Sequence, residues 1–165
     1  MYLIDANVLI SADAHFYPLN RIPQFWDWLI DQGALGNVKI PAEIHDEVSS
    51  GKGALAAWTR EGEVKKALLL EETLDPALVR HCLQVGYQST DPRFTDRELQ
   101  KIGRDAFLVA YGLAGPNRVI VTREVSKRTK RLGASKLPDA CDDCGVRWTS
   151  DFEMYRILNF NLSGR

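Results

Sequence analysis

The sequence predicts an α/β fold of three layers, α/β/α, around a central mostly parallel sheet. Three features carry that prediction. The apolar runs at residues 2–10 and 118–122 lack the strict alternation of a half-solvated strand and read as parallel strands covered on both faces. Both runs carry polar residues toward their C-terminal ends, Asp5 with Asn7 in the first and Thr122 in the second. Segments with helical spacing and helix-starting residues lie between the strand signals, and strands that alternate with helices stack as a sheet between helical layers.

The 165 residues suggest one domain spanning residues 1–165, long enough to bury most of its apolar surface around a single core. With 45% hydrophobic and 26% charged residues, the composition is that of an ordinary globular protein and predicts no disordered tract. A net charge of −1 excludes coating of nucleic acid by bulk electrostatics, so any such contact must use a local basic patch. No apolar run approaches the roughly 20 residues that span a bilayer, and no basic segment precedes a long apolar core. The expectation is a cytoplasmic protein with no membrane partner. Three cysteines are too few for a disulfide scaffold and fit a reducing compartment. Cys141-Asp142-Asp143-Cys144 has the spacing of a zinc or redox pair but lacks a second ligand pair, so buried or half-exposed thiols are the reading.

Taken in order, the first strand is followed by a loop or short helical segment from Ser11 to Pro23. Residues 24–32 form a helix with Phe25, Trp28 and Leu29 on one face and Gly33 as its stop; aromatic residues at this spacing read as core rather than as a base-stacking platform. Residues 38–41 are a second strand, and Pro41 opens a helix over residues 42–48. Ile44 and Val48 face its core side, with Glu43 and Glu47 on a neighbouring face. Residues 49–53 turn on two glycines, and residues 54–61 and 63–70 are helix-prone with Trp58 inward. Asp75 caps a helix over residues 75–87 with Pro76 at its first position, residues 88–94 break it, and helix resumes at Thr95 or Asp96. Residues 104–114 form a deeply buried helix with Asp105 near its start, a place where the helix dipole alone favours an acid. After a turn at residues 115–117 come the strand at 118–122 and a basic run of Lys127, Arg128, Lys130 and Arg131. Residues 145–149 form a last strand, and Asp151 caps a terminal helix through Leu158.

Ligand sites in open α/β sheets lie beyond the C-terminal ends of the strands. Asp5 and Glu124 lie at such ends, and Asp105 and Glu47 sit on adjoining helices in a plausible winding. Carboxylates that converge at low dielectric repel one another unless a cation joins them. Oxygen-only donors suit Mg²⁺ or Mn²⁺, and such a centre activates water and neutralises charge at a scissile phosphate. The basic run, with Arg123, supplies the local patch that could hold phosphates; its alternative reading is a solvated helix face.

Asp5-Ala6-Asn7 after an N-terminal strand, Pro41 six residues before Glu47-Val48, Asp105 opening an apolar helix, and Val121-Thr122-Arg123-Glu124 together resemble the ordered acidic motifs of the PIN domain superfamily of Mg²⁺-dependent ribonucleases. The finer pattern is similar to a bacterial PIN-like branch, the DUF4411 family: a Tyr2-Leu3-Ile4-Asp5-Ala6-Asn7 start, a Phe25-Trp26-Asp27-Trp28-Leu29 helix, and Lys136-Leu137-Pro138-Asp139-Ala140-Cys141 before the last strand. The resemblance implies Asp5 as first metal ligand, Glu47 as second acid and Asp105 as third, with Asn7 and Thr122 supporting them. At the fourth acid many PIN domains have Asp where this chain has Glu124, whose longer side chain reaches the metal directly or through water. Glu43 competes with Glu47, Asp139 is a further acid at the site edge, and Arg123, Lys127 and Arg128 are the expected RNA contacts. The implied activity is endoribonucleolytic, with Mg²⁺ or Mn²⁺ as cofactor. The implied role is the toxin of a bacterial toxin–antitoxin pair with a protein antitoxin, as a homo-oligomer, typically a dimer. Two alternatives stand beside it: a catalytically weak PIN-like fold acting as a nucleic-acid-binding or protein-interaction module, and a phosphatase or 5′-nuclease of related metal chemistry.

Overall fold

The first strand is shorter than the apolar run that contains it. In the computed structural model, which describes residues 1–162, β1 covers Tyr2–Ile4, and the chain turns at Asp5 directly into α1, Ala6–Ser11. The expected strand over residues 2–10 is therefore corrected to strand plus helix. The reason is that Ala6, Val8 and Leu9 are all buried, and full burial removes the periodicity that would separate a short strand from a short helix. The helix runs on into a wide π-helical turn at Ala12–Phe16, inside the segment expected as a loop or short helix.

Among the described residues five strands form one parallel sheet in the order β3-β2-β1-β4-β5, with β2 at Val38–Pro41, β3 at Leu69–Leu70, β4 at Val119–Val121 and β5 at Arg147–Thr149. β3 replaces the end of the expected helix over residues 63–70. Leu69 and Leu70 have good helix propensity, but parallel pairing with Ile40 and Pro41 overrides it. The chain winds outward from β1 through β2 to β3, then crosses to the other side of β1 for β4 and β5. β1 is thus where the winding reverses, and the crevice at its C-terminal end is the natural ligand position of such a sheet.

The remaining helices are α2 (Pro23–Ala34), α3 (Ala42–Ser49), α4 (Ala54–Thr59), α5 (Gly62–Leu68), α6 (Pro76–Val85), α7 (Asp96–Ile102), α8 (Asp105–Leu113), α9 (Leu137–Cys144) and α10 (Asp151–Ile157). They flank the sheet as a three-layer α/β/α arrangement. Successive residues on β1 and β4, Leu3 with Ile4 and Ile120 with Val121, are fully buried, as a sheet covered on both faces requires. Asp75 caps α6 as expected, accepting from the Ala77 amide at 2.8 Å. At α10 the cap is Ser150, which accepts from the Glu153 amide, and Asp151 is the first helical residue instead. The basic run is not a helix face: Lys127–Arg131 lies in turns and extended chain. No helix among the described residues is long and apolar enough to cross a membrane.

Of the aromatic residues of α2, Phe25 and Trp26 are buried in the core and Trp28, expected beside Phe25, packs against it half-buried. Phe25 stacks on Tyr17 at 4.3 Å between ring centroids, and Trp26 meets Trp58 edge to face at 4.7 Å while its indole N–H donates to the Tyr17 carbonyl. Gly33, expected as the stop of α2, lies inside the helix and lets α5 approach. A Cβ there would sit 2.6 Å from Leu68 Cδ2 and 2.8 Å from the Ala67 carbonyl oxygen. Replacing a mid-helix glycine by alanine ordinarily stabilises by up to about 1 kcal/mol. Here Gly33→Ala should instead cost about 1–3 kcal/mol through overpacking, read from urea unfolding; a gain in stability would show that α2 and α5 are free to move apart.

Candidate functional site

Asp5 occupies the single-residue junction between β1 and α1. Its amide donates to the Val121 carbonyl at 3.0 Å, which ties the end of β1 to β4, and its backbone is extended (φ −77°, ψ 149°). Its side chain does not cap α1 and is 94% out of contact with solvent, since only 6% of the residue is exposed. Oδ2 accepts from the buried Thr122 hydroxyl at 2.8 Å. Thr122 Oγ1 in turn accepts from Asn7 Nδ2 at 3.3 Å and from the Glu124 amide at 3.2 Å, and Asn7 Oδ1 accepts from the Arg123 amide at 3.2 Å. Asn7 and Thr122 therefore form one hydrogen-bonded support around Asp5.

Asp105 is the first residue of α8, presented after Gly103, whose backbone (φ 57°, ψ −118°) suits glycine and separates α7 from α8. Glu47 projects from α3 and is exposed; Glu124 follows β4. All four acids line one cavity of about 690 Å³, together with Asn7, Ser50, Asp46, Lys101 and Arg104. Their electrostatics are shared. Burial pushes the Asp5 carboxyl up to about 6; the Thr122 hydrogen bond opposes this, and Glu124 and Glu47 push it further up. Burial likewise raises Asp105 well above the ordinary carboxyl range, assisted by Asp5, Glu124 and Glu47 and opposed by Lys136.

The acids are not equally free. Glu124 accepts from Lys136 Nζ at 3.1 Å and from the Leu137 amide at the start of α9 at 2.9 Å. Asp105 makes no hydrogen bond or ion pair among the described residues. The donor set is all oxygen, the chemistry a hard divalent cation takes. As the side chains stand, no group of three or more His, Cys, Asp or Glu among the described residues is arranged to hold a metal ion. The fit is thus one of donor type and converging charge, with the carboxylates still apart.

Several expected residues lie elsewhere. Glu43, one turn before Glu47 on α3, lines a separate cavity of about 520 Å³ with Glu72 and Tyr111 and does not share the Glu47 position. Asp139 is buried and organises the loop after β4, accepting from Ser126 Oγ at 2.5 Å and the Lys127 amide at 2.8 Å. Arg128 is bound by its own neighbourhood, Asp142 at 2.9 Å, Asp143 at 2.5 Å and Asp139 at 3.3 Å. Arg123 pairs with Asp151 and lies over the rings of Phe16 and Phe152, so it fastens α10 to the π-helical turn. Arg123, Lys127 and Arg128 do not line the acidic cavity. The cations that do are Lys101, paired with Glu98 at 2.6 Å, and Arg104, which is exposed and has no partner among the described residues. Arg104 was legible only as the residue before Asp105, because charge density directs attention to the run at 127–131 and the Gly103 turn cannot be placed from sequence.

A family model described as a domain of unknown function, DUF4411, matches residues 2–162. No curated protein and no solved structure matches the chain.

Without divalent cations, Asp5 and Asp105 bind protons in the folded state at pH values where the unfolded chain has released them. Stability from these two groups is therefore greatest below the ordinary carboxyl range and is lost as pH rises through about 6 for Asp5. In chelator the melting temperature should fall on the order of 5 °C between about pH 5 and about pH 7.5, with a shallower slope in Asp5→Asn. Millimolar Mg²⁺ or Mn²⁺ should restore more stability at the higher pH. A slope unchanged by Asp5→Asn would show that Asp5 is ionised throughout.

Proposed function

The chain belongs to the DUF4411 family, and from that premise we propose a PIN-like, Mg²⁺- or Mn²⁺-dependent endoribonuclease acting in the cavity above β1 and β4. One observation carries the reading: Asp5, buried, and Asp105, half-buried, neither paired with a cation, share a cavity with Glu47 and Glu124, and each of the two is raised by loss of solvent and then by its acidic neighbours. Acids placed this way destabilise the protein unless something positive joins them. Asp5 and Asp105 would hold the divalent ion, with Glu47 and Glu124 completing its oxygen environment. When bound, the ion supplies charge neutralisation at a phosphate and a more acidic water.

The chain's own groups do the rest. The Thr122 hydroxyl fixes Asp5 Oδ2 in one orientation, and Asn7 fixes Thr122. Glu47, exposed at the cavity wall, would accept a hydrogen bond from an attacking water. Arg104 is free to pair with non-bridging phosphate oxygens, which would position an RNA backbone without reading its sequence. The role suggested by the PIN-like resemblance is the toxin of a toxin–antitoxin pair, so growth arrest on expression should disappear in Asp5→Ala. A second reading has an observation in its favour. Glu124 is spent on Lys136 and the Leu137 amide, and an acid held there would leave a weakly catalytic, RNA-binding module.

Metal-dependent cleavage of a single-stranded RNA should fall at least about 100-fold in Asp5→Asn and in Asp105→Asn, and stay within about threefold of the parent in Glu43→Gln. Arg104→Ala should weaken RNA binding about five- to tenfold and lower the salt dependence by about one counterion. RNA bound equally with and without metal, and never cut, would select the binding module.

A further inference from the structure

All three cysteines come together where α6 meets α9. The two helices pack closely: a Cβ on Gly86 would lie 3.0 Å from Ala140 Cβ and 3.3 Å from Ala140 Cα. Cys82 lies four residues before Gly86 and Cys144 four residues after Ala140, so in an antiparallel pair one helical turn from this contact sets them opposite each other. The side chains lie close. The Cys82 and Cys144 thiols are near enough for each to shift the other's pKa, and the Gly86 amide, which donates to the Cys82 carbonyl at 2.8 Å, lies beside Cys144. Cys82 and Cys141 have no exposed surface, while Cys144 is half-buried and open to solvent.

We propose that Cys82 and Cys144 are a covalent modification site, a dithiol that a hydroperoxide converts to a disulfide bridging α6 and α9. Cys144 reacts first because it alone is accessible. Cys82 and the Gly86 amide lower its pKa, whereas Cys144 and burial raise that of Cys82 and burial raises that of Cys141. The Cys144 thiolate attacks a peroxide oxygen, the S–O bond forms as the O–O bond breaks, and the leaving oxygen takes a proton as water or alcohol. Cys82 then attacks the Cys144 sulfur. The S–S bond forms, the S–O bond breaks, and hydroxide leaves with the Cys82 proton as water. Two electrons pass from the two thiols to the peroxide. The close packing of α6 on α9 at Gly86 and Ala140 holds Cys82 near Cys144, which makes this second step faster than further oxidation of Cys144.

The bridge has a structural consequence. α9 begins at Leu137, whose amide holds Glu124, and carries Asp139, which holds the loop after β4; α6 packs against α8, which begins with Asp105. Tying α6 to α9 therefore fixes the two supports of the acidic cavity to each other. The chemistry itself is independent of any nuclease activity, and so is its test.

The purified full-length chain is treated with a small excess of hydrogen peroxide, quenched and denatured. Titratable thiols should fall from three to one. Intact mass should drop by about 2 Da, and proteolysis should release a peptide joining Cys82 to Cys144, with reductant restoring all thiols. Cys144→Ser and, separately, Cys82→Ala, each with the parent circular dichroism spectrum, should form no intramolecular bridge. Should Cys82→Ala fail to fold, Cys144→Ser decides alone, since its position is half-exposed. A bridge between Cys141 and Cys144, a mass gain of about 32 Da from sulfinic acid, or a folded chain that keeps all its thiols while the unfolded chain loses them would each overturn the proposal.

Discussion

A carboxylate withdrawn from water at the end of β1 is the constraint on which the surrounding structure depends. Burying an ionised group costs several kcal/mol unless other groups compensate it, about what one pair of well-placed hydrogen bonds to a charge can recover. Asp5 is given a single side-chain donor, Thr122, at the corresponding end of β4. That bond requires β4 to lie beside β1, which in turn requires the winding to reverse there. The same threonine accepts from Asn7 and from the Glu124 amide, so the residue after β4 cannot shift without disturbing the acid on β1. Glu124 is then directed across to Lys136 and the start of α9. A short chain of hydrogen bonds thus sets the positions of three elements around one cavity.

The parts of this arrangement that were legible in the sequence are those in which local chemistry and tertiary packing agree. The strand at Val119–Val121, the α6 cap at Asp75 and the buried aromatic face of α2 each follow from a pattern that burial reinforces. The misses arise where they disagree. Residues 2–10 are apolar on every side, so nothing in them marks the turn from strand to helix at Asp5. Leu69 and Leu70 would continue α5 if β2 did not offer them a pairing edge. The helix from Leu137 to Cys144 starts at a Leu-Pro pair and carries three acids, a polar segment whose one buried face is visible only once packed. For the candidate site, the order Asp5, Glu47, Asp105, Glu124 was readable and all four line one cavity, but spacing alone did not separate Glu47 from Glu43, which differ by a turn on α3; the choice of Glu47 came from the resemblance.

Cations were harder to read than acids, for a physical reason. Basic residues are conspicuous in sequence, yet several of those near the strand ends are consumed nearby. Arg128 is taken by Asp142 and Asp143, Arg123 by Asp151, Arg118 by Glu72 and Lys136 by Glu124. Exposed pairs among these add little stability, but each removes a cation from the pool that could meet an anionic ligand. Of the two cations that line the cavity, Lys101 is paired with Glu98, and Arg104, set at the start of α8 by the Gly103 turn, is not paired among the described residues.

The same accounting separates the buried acids into two kinds. Asp139 and Asp151 are as buried as Asp5, but each faces a guanidinium, and Asp139 has a hydroxyl and a backbone amide besides. Their charge is compensated within the chain, and their role is to hold a loop and a helix. Asp5 has only neutral donors and Asp105 has none, and both are pushed toward their protonated forms first by loss of solvent and then by neighbours of the same sign. Burial alone therefore does not mark a functional acid in this fold. What sets Asp5 and Asp105 apart is partial or full withdrawal from solvent without a cation, beside a cavity open to solvent, and that deficit of positive charge is the physical basis for proposing a divalent ion there.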